Sequence, residues 1–193
     1  MKEDNKSIFT EISDFKDNKV WMTKKSRMES EARMKKNDFI SQIAITYYTF
    51  LAMVVSVYGI VNNDNNLGVL SLVISIGLFG LSLFISAIDF KGKAYGYKEA
   101  YTQLSDVEND LENLLHSDND NELYDKFKQL KEQYNSIIKL TDNHDTIDFY
   151  VVKNREHKDF QLEKTIFLYK AKCLIIEGLV FILPTTMMIL CLE

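Results

Sequence analysis

A single proline, seven glycines, two cysteines and three histidines in 193 residues each remove a class of protein from consideration. So few helix breakers, with no apolar/polar alternation longer than a few residues, exclude a strand-and-turn architecture and predict an all-α chain. The cysteines, Cys173 and Cys191, share the last apolar stretch. On a helix they stand about 27 Å apart at 1.5 Å per residue, too far for a disulfide. His116, His144 and His157 lie among charged residues without a carboxylate or cysteine at metal-ligand spacing, so no metal or cofactor is expected. There is no phosphate-cradling glycine loop, no Gly-x-Ser-x-Gly and no His-Glu-x-x-His, so the expectation is not an enzyme. No apolar core follows the first lysines, which argues against a signal peptide.

The most informative absence is of charge. With 23 basic and 28 acidic residues the composition is that of an ordinary soluble protein, yet nothing from Phe39 to Ile88 is charged except Asp64. Each of the two runs on either side of Asp64 exceeds the roughly 20 apolar residues that a hydrocarbon core of about 30 Å demands of a helix. Neither has the charged face that a soluble helix of that length shows. The stretch 39–88 therefore reads as a two-helix transmembrane hairpin with a tip at Asn62-Asn63-Asp64-Asn65-Asn66. The tip lacks Lys and Arg, whereas Lys24, Lys25, Arg27, Arg33, Lys35 and Lys36 precede the hairpin and Lys91, Lys93 and Lys98 come after it. By the positive-inside rule the N-terminus is cytoplasmic and the loop 62–66 extracytoplasmic, which predicts a bacterial inner-membrane protein.

Around this hairpin the chain divides into an N-terminal tail (1–18), polar and expected to be mobile apart from one weak turn at Ile8, Ile12 and Phe15, and a basic amphipathic helix (19–38). Trp21, Met28, Ala32 and Phe39 fall on one side of that helix, a pattern expected either at headgroup level or on a solvated lead-in. Next comes a cytoplasmic helical hairpin (89–154). Tyr97, Tyr101, Leu104, Leu111 and Leu115 keep a heptad-like spacing if Glu108 takes one inward slot, so the second span is expected to continue as one rod from about Leu67 to Leu115. After a break at 116–121, Leu123, Phe127, Leu130, Tyr134, Ile137 and Thr141 predict a second helix folding back as an antiparallel stalk. The acidic run from Asp106 to Asp125 is either a solvated face or a dock for a basic partner. Thr141 to Asp145 reads as a loop, with Asp145 or Thr146 capping a short element after it. The segment 155–193 is a charged helix leading into Cys173 to Leu192, expected as a third span despite Glu177 and Pro184.

Inside the spans the polar residues are confined to one side. Gly68, Ser71, Ser75, Ser82 and Ser86 occupy an arc of about 60°, and Gln42, Thr46, Thr49, Met53 and Ser56 one of about 80°, at 3.6 residues per turn. Glu177 is expected either to face the interior, with water, a basic partner such as Lys36 or Lys172 or a polar group such as Gln42 beside it, or to snorkel from the span's cytoplasmic end. Two readings stand side by side. Hydroxyls and glycines let helices pack closely and bond across the interface, for roughly 0.6 kcal/mol each. Alternatively, the stripes of several copies line a pore narrowed at Met53, Leu78 or Phe79. One hairpin encloses no channel, so conduction implies a homo-oligomer.

The order of a basic helix carrying Trp21-x-Thr23-Lys24-Lys25-x-Arg27 and a later Arg33, a tight two-helix hairpin and a charged helical region resembles the SLATT domains. These are two-transmembrane effectors that accompany SMODS nucleotidyltransferases and SLOG sensors in bacterial conflict systems. The resemblance covers roughly Val20 to Leu140. It implies a membrane-perforating effector in antiphage defence, oligomerising when triggered by a sensor or a nucleotide-synthase partner protein and stopping growth of the infected cell. The lipid bilayer is the one surface it must contact, and no direct nucleic-acid binding is expected. The alternatives are a non-conducting anchor or adaptor that recruits a soluble partner through its cytoplasmic helices, and an immunity protein that blocks a membrane toxin.

Overall fold

The computed structural model describes residues 2–116 and 122–192, and every described segment longer than a turn is helical. Seven α-helices succeed one another: α1 (Lys2–Asp14), α2 (Trp21–Val61), α3 (Asn65–Ile88), α4 (Phe90–Leu115), α5 (Leu123–Leu140), α6 (Thr146–Glu156) and α7 (Phe160–Leu192), with a π-helical segment at Phe15–Val20. They form two compact units. The first comprises Met1–Met34 and Gly92–Ile166, the second Lys35–Lys91 and Phe167–Glu193.

The first unit is a polar-surfaced bundle around Ile12, Phe15, Val20, Leu104, Val107, Leu111, Leu114, Leu123, Phe127, Tyr134 and Ile137. The stripe expected along α5 is buried as spaced, whereas α4 turns a slightly different face inward. Val107 takes the core slot, and the neighbouring Glu108 binds Lys24 of α2 instead. The N-terminal 1–18 segment is not a loose tail. From Lys2 onward it is helical, and Ile12 and Phe15 are core residues, Phe15 edge-on to both Phe127 and Tyr134 at 5.7 and 5.2 Å. Phe15 and Val20, five residues apart, would point in different directions on an α-helix; the wider π winding between them brings both to the core. Glu11 with Lys131 and Lys16 with Glu112 close this helix onto α5 and α4. The ion pair holds the Lys16 ammonium above its usual range and the Glu112 carboxyl below its own.

The basic stretch of α2 turns its polar side inward. Its apolar side is outermost, with Phe39 65 % exposed and Met28 exposed, while Ser26, Arg27, Ser30 and Met34 are buried. The sequence pattern left open a helix at headgroup level and a solvated lead-in, and an outward apolar side fits either. In the fold, the small serines admit neighbouring helices closely and the arginines are satisfied by side chains distant in sequence.

In the second unit the later part of α2 and all of α3 form the hairpin. Asn63 is left-handed at φ 53°, Asp64 caps α3 by accepting from the Asn66 N–H at 2.8 Å, and the Asp64 N–H returns to the Gly59 carbonyl at 2.9 Å. Gly59 is required by proximity: a Cβ there would stand 2.9 Å from Leu67 Cβ. The helical stretches containing α2 and α3 are both long and apolar enough to cross a membrane. Along α3 only Ser71 is buried.

The rod expected from Leu67 to Leu115 is interrupted. Asp89 is left-handed (φ 50°, ψ 57°) between α3 and α4, a conformation that Asp tolerates better than most residues. The long uninterrupted helix is α2, whose 41 residues extend for about 60 Å. The break expected after α4 falls on 117–121, outside the described residues, as does the side chain of Cys191. The 141–145 loop is as anticipated, with α6 beginning after Asp145, whereas the charged helix expected from Arg155 starts only at Phe160.

Candidate functional site

The stripe residues of the hairpin come together in one groove. Thr49, Met53 and Ser56 of α2 and Ser71, Ser75, Leu78, Phe79 and Ser82 of α3 line a cleft of about 810 Å³. Ile45, Ala52, Gly68 and Leu72 complete its walls. Five of the sequence-derived polar positions and all three constriction positions thus share one surface. Gln42 and Thr46 do not reach it; they line a separate depression of about 350 Å³ with Phe39, Ile43 and Tyr47. Ser86 is exposed and borders neither.

The hydroxyls bond along their own helices. Thr46 donates to the Gln42 carbonyl, Thr49 to Ile45, Ser71 to Gly68 and Ser75 to Ser71, at 2.8 or 2.9 Å. Each hydroxyl has one proton and two lone pairs, so these side chains present acceptor lone pairs to the groove. The single charge between Phe39 and Ile88, Asp64, is exposed at the hairpin tip.

The end of α7 packs on α2 through a device that the sequence hides. Pro184 lies inside α7 and has no N–H to give to the carbonyl four residues earlier. That carbonyl, Val180, accepts the Tyr48 hydroxyl at 2.6 Å, and Tyr47 donates to the next one, Phe181, at 3.1 Å with its ring 5.3 Å from the Phe181 ring. In an apolar surrounding an unmade carbonyl bond is costly, and Tyr48 supplies the one that the proline removes while Tyr47 adds a second tie to the neighbouring carbonyl. Glu177, one turn before this contact, binds Lys36 at 2.8 Å, so the carboxylate is paired with the base the sequence suggested.

In the first unit the motif residues of α2 have identifiable partners. Thr23 and Tyr134 share a hydrogen bond of 3.0 Å, Lys24 pairs with Glu108, and Arg27 Nη1 donates to Thr141 Oγ1. Arg33 grips Asp148 with two parallel bonds, Nε to Oδ1 at 3.0 Å and Nη2 to Oδ2 at 2.9 Å, and meets Asp145 at 2.6 Å. Asp148, 3 % exposed, also accepts from Ser30 Oγ at 2.7 Å and from the Asp145 N–H at 3.3 Å. Tyr97 donates to the Asn143 carbonyl at 2.9 Å. The 141–145 loop is thereby held to α2 and α4. Burial lowers the His144 imidazole below its ordinary range, with Arg27 adding to the effect and Asp148 and Asp145 opposing it. Burial likewise raises the Tyr97 phenol. Sequence reading missed Ser26, Ser30 and Asp148. Their only signal was a pair of serines among bases and an acid at the third position of a helix.

Among the described residues no three His, Cys, Asp or Glu side chains gather as metal ligands do. The model of family 5 of the SMODS and SLOG-associating 2TM effector domains matches residues 10–191. No curated protein matches, and no solved structure does.

Proposed function

Because the chain belongs to family 5 of the SMODS and SLOG-associating 2TM effector domains, a family of membrane proteins, we propose that it is a pore-forming effector of a bacterial antiphage system. Several copies assemble in the inner membrane and dissipate its gradient when a partner sensor or a nucleotide signal is present. The observation that carries this reading is the convergence of the two hydroxyl stripes on one cleft, with Met53, Leu78 and Phe79 on the same wall. Stripes that served only to join α2 to α3 would bond across the helices, whereas Thr49, Ser71 and Ser75 bond along them. That leaves a polar strip in an otherwise greasy surface, free to face the same strip of a neighbouring copy.

In this proposal the tip 62–66 is extracytoplasmic, the first unit cytoplasmic, and the apolar end of α7 a third span anchored by Tyr47 and Tyr48. The protein works without catalysis or cofactor, and its contacts are lipid, other copies of itself and a triggering protein. Asp89 interrupts the α3–α4 path, so α2 is the element through which a trigger acts, since one helix carries Arg27 and Arg33 in the first unit and Thr49 to Ser56 in the second.

The test is purified protein in liposomes loaded with a self-quenching dye, alongside inducible expression with a membrane-potential dye. Leakage is expected from the assembled wild-type protein and its loss from Ser75→Leu and Ser82→Leu, with cross-linked oligomers retained. Protein that assembles, binds partners and leaks nothing under any trigger would instead be a membrane anchor.

A further inference from the structure

Independently of the pore reading, the first unit contains a buried cation for which none of the described residues supplies an anion. Arg27 is 1 % exposed and Ser26 fully buried. Of the five guanidinium donors, one has a partner, Thr141 Oγ1, and that hydroxyl is itself a neutral group already donating to the Ile137 carbonyl. Arg27 Nε and Ser26 Oγ are both enclosed and have no hydrogen-bond partner. The carboxylates of the neighbouring loop are committed elsewhere: Asp148 accepts from Arg33, Ser30 and the Asp145 N–H, and Asp145 pairs with Arg33. The groups whose charge bears on Arg27 are the phenols of Tyr97 and Tyr134 and the imidazole of His144. A guanidinium out of water costs several kcal/mol unless it is paired, and two other bases of the same helix motif, Lys24 and Arg33, are paired with carboxylates.

We propose that Arg27 is the receptor of a small oxyanion, a phosphate or sulfate group, admitted when the 141–145 loop lifts Thr141 from the guanidinium. A planar fork of N–H donors matches two oxygens of a tetrahedral oxyanion, and the Ser26 hydroxyl supplies a neutral donor from the adjacent position. A water molecule would satisfy Nε and leave the charge unbalanced; an oxyanion does both. The cover can open without unwinding a helix, because 142–145 has no regular structure and Asp142 and Asn143 are exposed, at the expense of the Tyr97 and Arg33 contacts to Asn143 and Asp145. The phosphoryl group is either that of a soluble phosphate compound or that of a lipid headgroup.

The full-length protein in nanodiscs of zwitterionic lipid is melted against inorganic phosphate, with chloride at matched ionic strength as reference. A second series replaces phosphate with increasing phosphatidic acid in the nanodisc. A saturable rise in melting temperature in the first series assigns the site to a soluble ligand, and in the second to a headgroup. Arg27→Lys, which keeps the charge and loses the fork, is expected to weaken the response at least tenfold in concentration. Thr141→Ala, which uncovers the guanidinium and leaves it in place, is expected to bind as well as wild type or better. No anion-specific stabilisation in either series, or a response that survives Arg27→Lys unchanged, overturns the proposal. Should Arg27→Lys fail to fold, Thr141→Ala decides: a response weaker than wild type refutes it.

Discussion

Replacing Asp148 by Asn is the most incisive perturbation of the first unit, because one nearly isosteric change removes a charge on which α2, the 141–145 loop and α6 all converge. The carboxylate accepts two bonds from Arg33, one from Ser30 and one from the Asp145 N–H. An amide presents one oxygen where the carboxylate presents two, so one of the paired Arg33 contacts becomes donor against donor. Breaking a buried ion pair from one side costs about 3–5 kcal/mol. Arg33 keeps Asp145, whose side chain is 63 % exposed, so the lower end, about 3 kcal/mol, is expected. For a unit of this size each kcal/mol corresponds to about 4–8 °C, giving a fall of about 12–24 °C. The one tryptophan of the chain, Trp21, lines a cleft with Phe149 and Lys153 of α6, so its emission during heating reports on this unit and not the hairpin. Ser30→Ala serves as the scale, at about 1.5–3 kcal/mol for one hydrogen bond to a charged group. A Trp21 transition within about 3 °C of wild type in Asp148→Asn would refute the claim that this carboxylate holds α6 to α2.

The geometry dictates four further outcomes. Tyr48→Phe leaves the Val180 carbonyl without a donor and should destabilise the packing of α7 on α2 by about 1 kcal/mol in detergent unfolding; Pro184→Ala restores an N–H and should make Tyr48→Phe nearly neutral in the double variant. Gly59→Leu should splay the hairpin next to Leu67 and abolish disulfide cross-linking between cysteines placed at Ser56 and Ser71, and full cross-linking would show that the close approach is dispensable. His144 has a depressed pKa when folded, so the unfolded chain takes up its proton first. Stability monitored by Trp21 should therefore be full above pH about 6.5 and decline as pH falls through that value, with the decline reduced in His144→Asn. Channels formed by the protein should favour cations, because the groove hydroxyls offer lone pairs and Asp64 is the single charge of the hairpin; a reversal potential shifted toward chloride contradicts this.

Segregation of charge made the two long apolar helices, the Asn-rich tip between them and the all-helical class legible without coordinates, because a bilayer imposes a length and a composition on any segment able to cross it. The α5 stripe and the cap at Asp145 were equally legible, being local patterns. The amphipathicity of 19–38 told only half: helical spacing identifies an apolar side and cannot say that the polar side will be the buried one. Arg27 and Ser30 become buried, and Arg33 partly so, only through Thr141 and Asp148, far along the chain. The same distance conceals Tyr48, whose hydroxyl serves the carbonyl that Pro184 leaves without a donor.

The sequence by itself determined which segments avoid water, since that depends on side-chain transfer free energies summed along a helix. Only the tertiary structure decided which polar groups face one another: the stripes of α2 and α3 in one groove, the tyrosines at the proline, and a guanidinium enclosed without a carboxylate. Hydrogen bonds and ion pairs act over about 3 Å, and no periodicity in a sequence encodes a meeting of residues so far apart along the chain.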